Sequence, residues 1–265
     1  MKSKKLPGAI VVVTGAGRGI GAATARRFAS LGANVVAVDI NEESAQETAT
    51  AFGGTAFRCD VGDVASVAEL AKQVKMQVGP VDILVNNAGV GLAGPFLDTT
   101  LDDWTWLRSV NIDGVVNCCH VFGEDMVERQ SGQVVNIASG GGYFPTKHLA
   151  TYCASKSFVI MLSRCLRADW AKHNVGVSVV CPSVTNSGIH TRSRLYGEMI
   201  NNKNLSDKFF ATLGHSPDSV AKTIVGAAVR SRGVVPSGIE NKLGYQALRV
   251  IPDSVLNLIA RMGPN

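Results

Sequence analysis

The sequence has little charge, no long apolar run and no cysteine pair at metal-binding spacing. Charged residues make up 18% of its 265 residues, against ~25% in ordinary soluble domains. Net charge is only +5, from 26 Lys and Arg against 21 Asp and Glu. That balance is too mild to predict a nucleic-acid partner, and three of the lysines, Lys2, Lys4 and Lys5, sit at the very start. No stretch approaches the ~18 apolar residues of a membrane span. Residues 9–13 follow the basic start, but an apolar run of five is shorter than the ~7–15 of a signal peptide. A cytoplasmic protein is expected. The six cysteines, Cys59, Cys118, Cys119, Cys153, Cys165 and Cys181, include no C-x-x-C pair. They read as small apolar residues in a reducing compartment, and no metal is expected. Repeats and low-complexity linkers are missing too. One domain over residues 1–265 is therefore expected, a length that a single core can reach.

What is present is an apolar fraction of 46% and 28 glycines without a Gly-X-Y period, which excludes disorder and collagen. Short β-branched runs fall at 9–14, 34–39, 55–59, 82–86, 133–138, 175–181 and 233–236. Most are continuous rather than alternating, as suits strands buried on both faces. Between them lie helical patterns near 19–31, 42–52, 63–78, 101–129, 152–173 and 217–231. Asn41 and Asp63 are placed as N-caps, and Thr100 with Asp103 reads as a capping box. Alternating β and α predicts a doubly wound, Rossmann-like α/β fold, with a mostly parallel seven-stranded sheet and helices on both faces. The regularity breaks over 184–216, a length suited to a lid. Residues 240–262 form an amphipathic helical segment interrupted by Pro252.

The first strand runs into Thr14-Gly15-Ala16-Gly17-Arg18-Gly19-Ile20-Gly21. Gly15 permits a tight strand-to-helix turn. Gly19 lets backbone N–H groups approach a pyrophosphate at the helix N-terminus. Gly21 lets the helix pack closely. The second strand ends in Asp39, which can accept from a ribose 2′-hydroxyl and would repel a 2′-phosphate, so it favours NAD(H). Arg18 is the counter-signal, since a guanidinium in this turn could hold the phosphate of NADP(H).

Tyr152 and Lys156 stand at i and i+4, on one helix face. Ser139 closes a strand ahead of them, Asn111 lies within the long 101–129 pattern, and Asn86-Asn87-Ala88-Gly89 ends another strand. With Cys59-Asp60-Val61, these residues make the sequence resemble a short-chain dehydrogenase/reductase of the compact, single-domain branch. The likeness is dense over about 8–190 and looser beyond.

The resemblance implies roles. Tyr152 would be the general acid/base for an alcohol or ketone. A free phenol has pKa ≈ 10, and Lys156 beside it would favour the phenolate while bonding the nicotinamide ribose. Ser139 would bond the substrate oxygen. Asn111 would hold a water linking Lys156 to solvent. Gly15, Arg18, Gly19, Ile20, Asp39, Asp60, Val61, Asn87, Ala88 and Gly89 would line the cofactor cleft. Pro182, Thr185 and Ser187 would lie at the carboxamide. Two departures stand out. Ser183 replaces the glycine that the family shows after Pro182, so a positive φ there would be strained, and Ser187 replaces a threonine.

The family's pocket walls would be residues 90–97, 140–149 and 184–210. Phe96, Phe144, Pro145, Leu195, Tyr196, Met199, Phe209 and Phe210 make them apolar, so a hydrophobic secondary alcohol or ketone is expected as substrate. His148 and His190 could touch substrate, but lone loop histidines more often read as solvated. Cys153 reads as packing, since no base marks it as a nucleophile. A homodimer or homotetramer is implied, pairing the helices over 101–129 and 152–173. The C-terminal segment, with Leu248, Val250, Ile251, Val255, Leu256, Leu258 and Ile259, could close an interface, cover the pocket, rest on a membrane or simply be buried. Two other readings stay open: an NADPH-linked carbonyl reductase, and a non-catalytic dinucleotide sensor. A sensor would be expected to lack Tyr152, Lys156 or Ser139. An epimerase or dehydratase is disfavoured by the spacing of the glycine turn.

Overall fold

The computed structural model describes residues 5–201, 212, 214–248 and 250–261. Seven strands build one parallel sheet: β1 (Ile10–Thr14), β2 (Asn34–Asp39), β3 (Thr55–Arg58), β4 (Ile83–Asn86), β6 (Gly132–Ile137), β7 (Val175–Pro182) and β9 (Val234–Ser237). Their spatial order is β3-β2-β1-β4-β6-β7-β9. All seven predicted strands are present, each within a residue or so of its expected ends.

The apolar runs divide by residue parity. Val12, Val36, Val38, Leu84, Val134, Val177 and Val179 face one helical layer. That layer is α3 (Val64–Gln77), α5 (Gly114–Glu128) and α6 (Ala150–Asp169), which contribute Val67, Leu70, Val74, Cys118, Phe122, Met126 and Val159. Val11, Val13, Val35, Ala37, Ile83, Val85, Val135 and Val180 face the other layer, with Phe28 of α1 (Gly19–Ser30), Ala49 of α2 (Glu42–Thr50) and Ile224 of α8 (Pro217–Arg230). Both faces are covered, so the strands carry no in/out polar alternation.

The predicted caps form. Asn41 accepts from the Ser44 N–H, Asp63 from the Ala65 N–H, and Thr100 and Asp103 make a reciprocal capping box. One long helix was expected over 101–129. It is instead three pieces: α4 (Leu101–Arg108), a π-helical turn (Ser109–Asp113) and α5. The Gly114 N–H donates to Ser109, five residues back. The bulge turns Asn111 inward, where it is fully buried. Gly114 leaves room for Val61, whose Cγ2 would lie 2.6 Å from any Cβ at that position. Sequence reasoning also missed a two-stranded ladder, β5 (Leu92–Ala93) with β8 (Arg194–Leu195). It joins the loop after β4 to the segment that follows β7.

Beyond β8 lies α7 (Glu198–Asn201). The expected lid is described only in part: Phe209 and Phe210 fall outside the described residues, as does the side chain of His190. The C-terminal segment is two helices, α9 (Ile239–Ala247) and α10 (Asp253–Arg261), broken near Pro252 as expected. Val250, Val255 and Leu258 are exposed, and the side chain of Ile259 falls outside the description. Among the described residues no helix is long and apolar enough to cross a membrane.

Candidate active site

Strand order reverses between β1 and β4, and in open α/β sheets the crevice at such a switch point, outside the carboxyl ends, is where ligands bind. The chemistry-bearing residues collect there. Gly15 and Gly19 both have positive φ, 62° and 53°. A Cβ at Gly21 would collide with the Gly15 carbonyl oxygen, so no other residue fits at that helix position. α1 begins at Gly19 with no side-chain cap and no acid in its first turn. Its free N–H groups and positive dipole end suit an anion. Arg18 is exposed at this turn, while Ile20 packs against the core.

Asp39 lies at the end of β2. Its Oδ2 accepts from the Gly17 N–H at 2.9 Å and its Oδ1 from the Asn41 N–H at 3.1 Å. The carboxylate is thus aimed across the glycine turn and partly exposed. Asp60 accepts from the Gly62 N–H at 2.9 Å, and Val61 is nearly buried beside it. Asn87 was expected to line the cleft. Its side chain ties two strand ends together, with Nδ2 donating to the carbonyls of Thr14 (2.9 Å) and Gly15 (3.1 Å). The N–H groups of Asn87 and Ala88 both donate to Thr14 Oγ1. Thr14 was not singled out from the sequence, although a hydroxyl at the end of an apolar strand was the available signal.

The catalytic candidates lie across the crevice. Ser139 follows β6, and its Oγ accepts from the Gly141 N–H at 3.2 Å. Its hydroxyl also hydrogen-bonds the Tyr152 side chain. Burial pushes the Tyr152 phenol above its ordinary value, and that bond to Ser139 opposes the shift. Lys156 is 4% exposed. Its Nζ donates to the Ile137 carbonyl at 3.2 Å and lies 5.7 Å from the Tyr152 ring centre. Burial lowers its pKa to about 8. The upward shift of Tyr152 belongs to the protein alone, whereas the phenolate that the resemblance implies draws also on the positive charge of an oxidised nicotinamide.

Asn111 accepts from the Val90 N–H (2.9 Å) and donates to the Val90 carbonyl (3.0 Å) and Ser155 Oγ (3.2 Å). Both of its amide hydrogens are therefore in use, which leaves only a lone pair of Oδ1 and the backbone carbonyl for a water. Near it is a polar chain that the sequence did not announce. Asn86 Nδ2 donates to Asn136 Oδ1 at 2.8 Å, and Asn136 Nδ2 donates to Ser163 Oγ at 2.9 Å. It crosses from β4 through β6 to α6 wholly inside the protein.

After Pro182 the chain passes over the glycine turn, and the Ser187 carbonyl sits against Gly19. Ser183 is not among the residues with positive φ, so the expected strain is absent. The Thr185 hydroxyl donates to the Ser183 carbonyl at 2.8 Å, so it is turned into its own loop. Several expected pocket-wall residues have other partners. Phe144 packs on Gly244 of α9, Phe96 stacks edge-on to Trp104, and the Tyr196 hydroxyl bonds Asp103. Arg194 stacks over Trp106 at 4.1 Å and donates to Asp103 Oδ1 at 2.8 Å, so β8 is clasped to α4. Asp103 would be raised by its burial, but bonds from Thr100, Arg194 and Tyr196 hold its carboxyl well below the usual range. The Cys153 thiol, raised by burial, lies 3.9 Å from the Phe144 carbonyl oxygen. A cavity of about 240 Å³ lined by Lys5, Pro7, Gly8, Ala9, Asp82 and Ile83 opens at the amino ends of β1 and β4, away from all of these groups.

The sequence matches the short chain dehydrogenase family over residues 9–195. The chain belongs to the short-chain dehydrogenase/reductase family. It is 38% identical over 258 residues to "Probable oxidoreductase EphD" of Mycobacterium tuberculosis, covering 93% of this chain and 44% of that one. It therefore spans less than half the length of that relative. It is 38% identical over 183 residues to meso-2,3-butanediol dehydrogenase of Serratia marcescens, covering 68% and 72% of the two chains. A short chain dehydrogenase/reductase from Burkholderia phymatum, solved in complex with NAD, has a TM-score of 0.86 at 27% identity, covering 93% and 94%. A gluconate 5-dehydrogenase from Burkholderia cenocepacia, solved with NADP and tartrate, has a TM-score of 0.78 at 27% identity, covering 90% and 97%. Members of that family are NAD(P)-linked oxidoreductases, and the solved neighbours include one with NAD and one with NADP.

The buried lysine makes a stability prediction. Lys156 releases its proton near pH 8 when folded and near 10.5 when unfolded. Between those values the unfolded state binds more protons, so stability rises with pH. Replacing Lys156 with Met removes a burden of roughly 3 kcal/mol below pH 8. In urea unfolding, Lys156→Met is expected to be the more stable form at pH 7, with the gap closing towards pH 10. A gap independent of pH would refute a desolvated lysine.

Proposed function

We propose that the chain transfers a hydride between NAD(H) and a hydrophobic secondary alcohol or ketone, with Tyr152 as general acid/base. The observation that carries this reading is the joined pair of Ser139 and Tyr152, with a buried Lys156 Nζ behind the phenol ring. The residues fit a dinucleotide: two glycines of positive φ, an uncapped helix N-terminus and a carboxylate aimed across the turn. A bound nicotinamide dinucleotide supplies the hydride and, when oxidised, a positive ring charge. Asp39 accepts from the adenosine ribose hydroxyls. Gly15, Gly19 and the N–H groups after Arg18 hold the pyrophosphate, and Asp60 and Val61 flank the adenine. Asn87, Ala88 and Gly89 form the floor, and Pro182, Thr185 and Ser187 meet the carboxamide.

In this reading the Ser139 Oγ is fixed by the Gly141 N–H, and its one hydroxyl hydrogen turns from Tyr152 to the substrate oxygen when substrate binds. Tyr152, held neutral by burial, is ready to protonate a carbonyl oxygen. Oxidation of an alcohol requires the phenolate, which positive charge at Lys156 and in the bound cofactor stabilises. Asn111, fastened to Val90 and Ser155, fixes the π turn beside Lys156 and leaves room for a relay water. Two of the three wall segments, 90–97 and 140–149, carry one formal charge, Lys147, which supports an apolar substrate, while the third, 184–210, carries six. An NADPH-linked carbonyl reductase is the second reading. The exposed Arg18 favours it, as does the neutral Tyr152.

We also propose a homo-oligomer through the outer faces of α5 and α6, where Val116, Phe158 and Met161 are exposed. Sedimentation is expected to show a dimer or tetramer at micromolar concentration, and a monomer would refute this.

Titration with NADH and NADPH, followed by nicotinamide fluorescence, is expected to show tighter NADH. Tighter NADPH would shift the assignment to Arg18, and binding of neither would overturn the cofactor reading. Tyr152→Phe is expected to bind NADH normally and to lose turnover by about 10²–10⁴. Unchanged turnover would overturn the mechanism.

A further inference from the structure

Of the two histidines in the expected pocket walls, His148 and His190, His148 is the one whose side chain is described, and the residue is half-buried. Its Nε2 is buried and has no hydrogen-bond partner among the described residues. Orphaned buried polar atoms are few in native proteins, and each calls for a reason. The backbone repeats the point. His148 has φ +65°. It is the third residue of a turn closed by the Leu149 N–H on the Thr146 carbonyl, a position where a positive φ ordinarily selects glycine or asparagine. The other non-glycine residues with positive φ, Gln130, Asn174 and Ser231, stand just past helix ends, where that conformation is common. His148 instead stands two residues ahead of the first residue of α6.

Its place is where the pocket walls converge. The His148 carbonyl accepts from the Gly94 N–H at 2.8 Å. Gly94 in turn is so close to Tyr196 that a Cβ there would lie 2.6 Å from the Tyr196 Cβ. Three wall segments, around 94, 148 and 196, therefore touch at one point, four residues before Tyr152. The backbone of His148 is held there, so its imidazole belongs to the wall of the pocket whose far side Tyr152 forms.

We propose that His148 determines specificity, its Nε2 binding a hydroxyl on the carbon next to the reacting one. It rests on the alcohol chemistry proposed above and adds a substrate class: an apolar vicinal diol, or the matching hydroxyketone. A hydroxyl fits this nitrogen better than a second carbonyl does. In a neutral imidazole Nε2 either donates or accepts, according to the tautomer, and a hydroxyl can answer both. The butanediol dehydrogenase relative is named for a substrate with hydroxyls on adjacent carbons, which is chemistry of this kind on a related chain.

The test compares cis-cyclohexane-1,2-diol with cyclohexanol as substrates of the full chain with NAD⁺. The two have the same apolar ring and differ by one hydroxyl. Wild-type protein is expected to favour the diol in kcat/KM. His148→Phe, which keeps a ring and removes both nitrogens, is expected to lose about 10- to 100-fold on the diol and under about 3-fold on cyclohexanol. His148→Asn, which tolerates a positive φ and keeps a donor and an acceptor, is expected to recover part of the preference. Equal losses on both alcohols would mark His148 as packing and overturn the proposal. So would a wild type that takes cyclohexanol as readily as the diol, and that result would leave the hydride-transfer reading intact. Failure of the underlying reading looks different: no NADH from either alcohol, together with no fluorescence change on titration with NADH. That result would remove both.

Discussion

Asn87 and Thr14 fasten the end of β4 to the turn after β1, and the rest of the site is built outward from that clamp. Four hydrogen bonds join the two segments. They hold the glycine turn at a fixed height above the crevice, close enough that Gly15 and Gly21 have no room for side chains. The covered parallel sheet supplies the setting. Its strands are buried on both faces, so charged groups have no place along their middles and are driven to the strand ends. Gly15, Asp39, Asn87, Ser139 and Pro182 each stand at or just beyond such an end.

The side opposite the clamp depends on interior polarity. Asn86, Asn136 and Ser163 form a hydrogen-bonded line through β4, β6 and α6. A buried polar line of this sort is unforgiving, since one lost partner strands the others. It fixes β6 against α6, and those two elements carry Ser139, Tyr152 and Lys156. Lys156 itself is kept where its charge is disfavoured, with the Ile137 carbonyl as its hydrogen-bond partner among the described residues. The arrangement lowers the stability of the protein alone and leaves a proton-bearing amine that titrates near working pH, a common trade at functional sites.

Much of this was legible in the sequence. Parallel strands announce themselves by unbroken β-branched runs, and the three predicted caps formed because Asn41, Asp63 and Thr100 act through contacts three residues long or shorter. The site residues were legible for a related reason: a glycine turn, a strand-end acid and a Tyr/Lys pair at helical spacing are local patterns. What stayed hidden was long-range. The π turn at Ser109–Asp113 exists because Asn111 reaches Val90, 21 residues away. The β5–β8 ladder pairs segments about a hundred residues apart. The aromatic side chains expected to wall the pocket also make contacts that composition does not reveal, such as Gly244 for Phe144 and Asp103 for Tyr196.

The clasp between β8 and α4 has its own consequence for acid. Asp103 is buried among Arg194, Thr100 and Tyr196, which together hold its carboxyl well below the usual range. An unfolded aspartate protonates near pH ~4, and the folded one stays charged to lower pH still. Its stabilising contribution is therefore complete above that value and is lost only in stronger acid. Through mild acid and neutrality the base of the segment after β7 keeps its anchor. A change of activity with pH in that range would therefore have a source other than the loosening of this clasp.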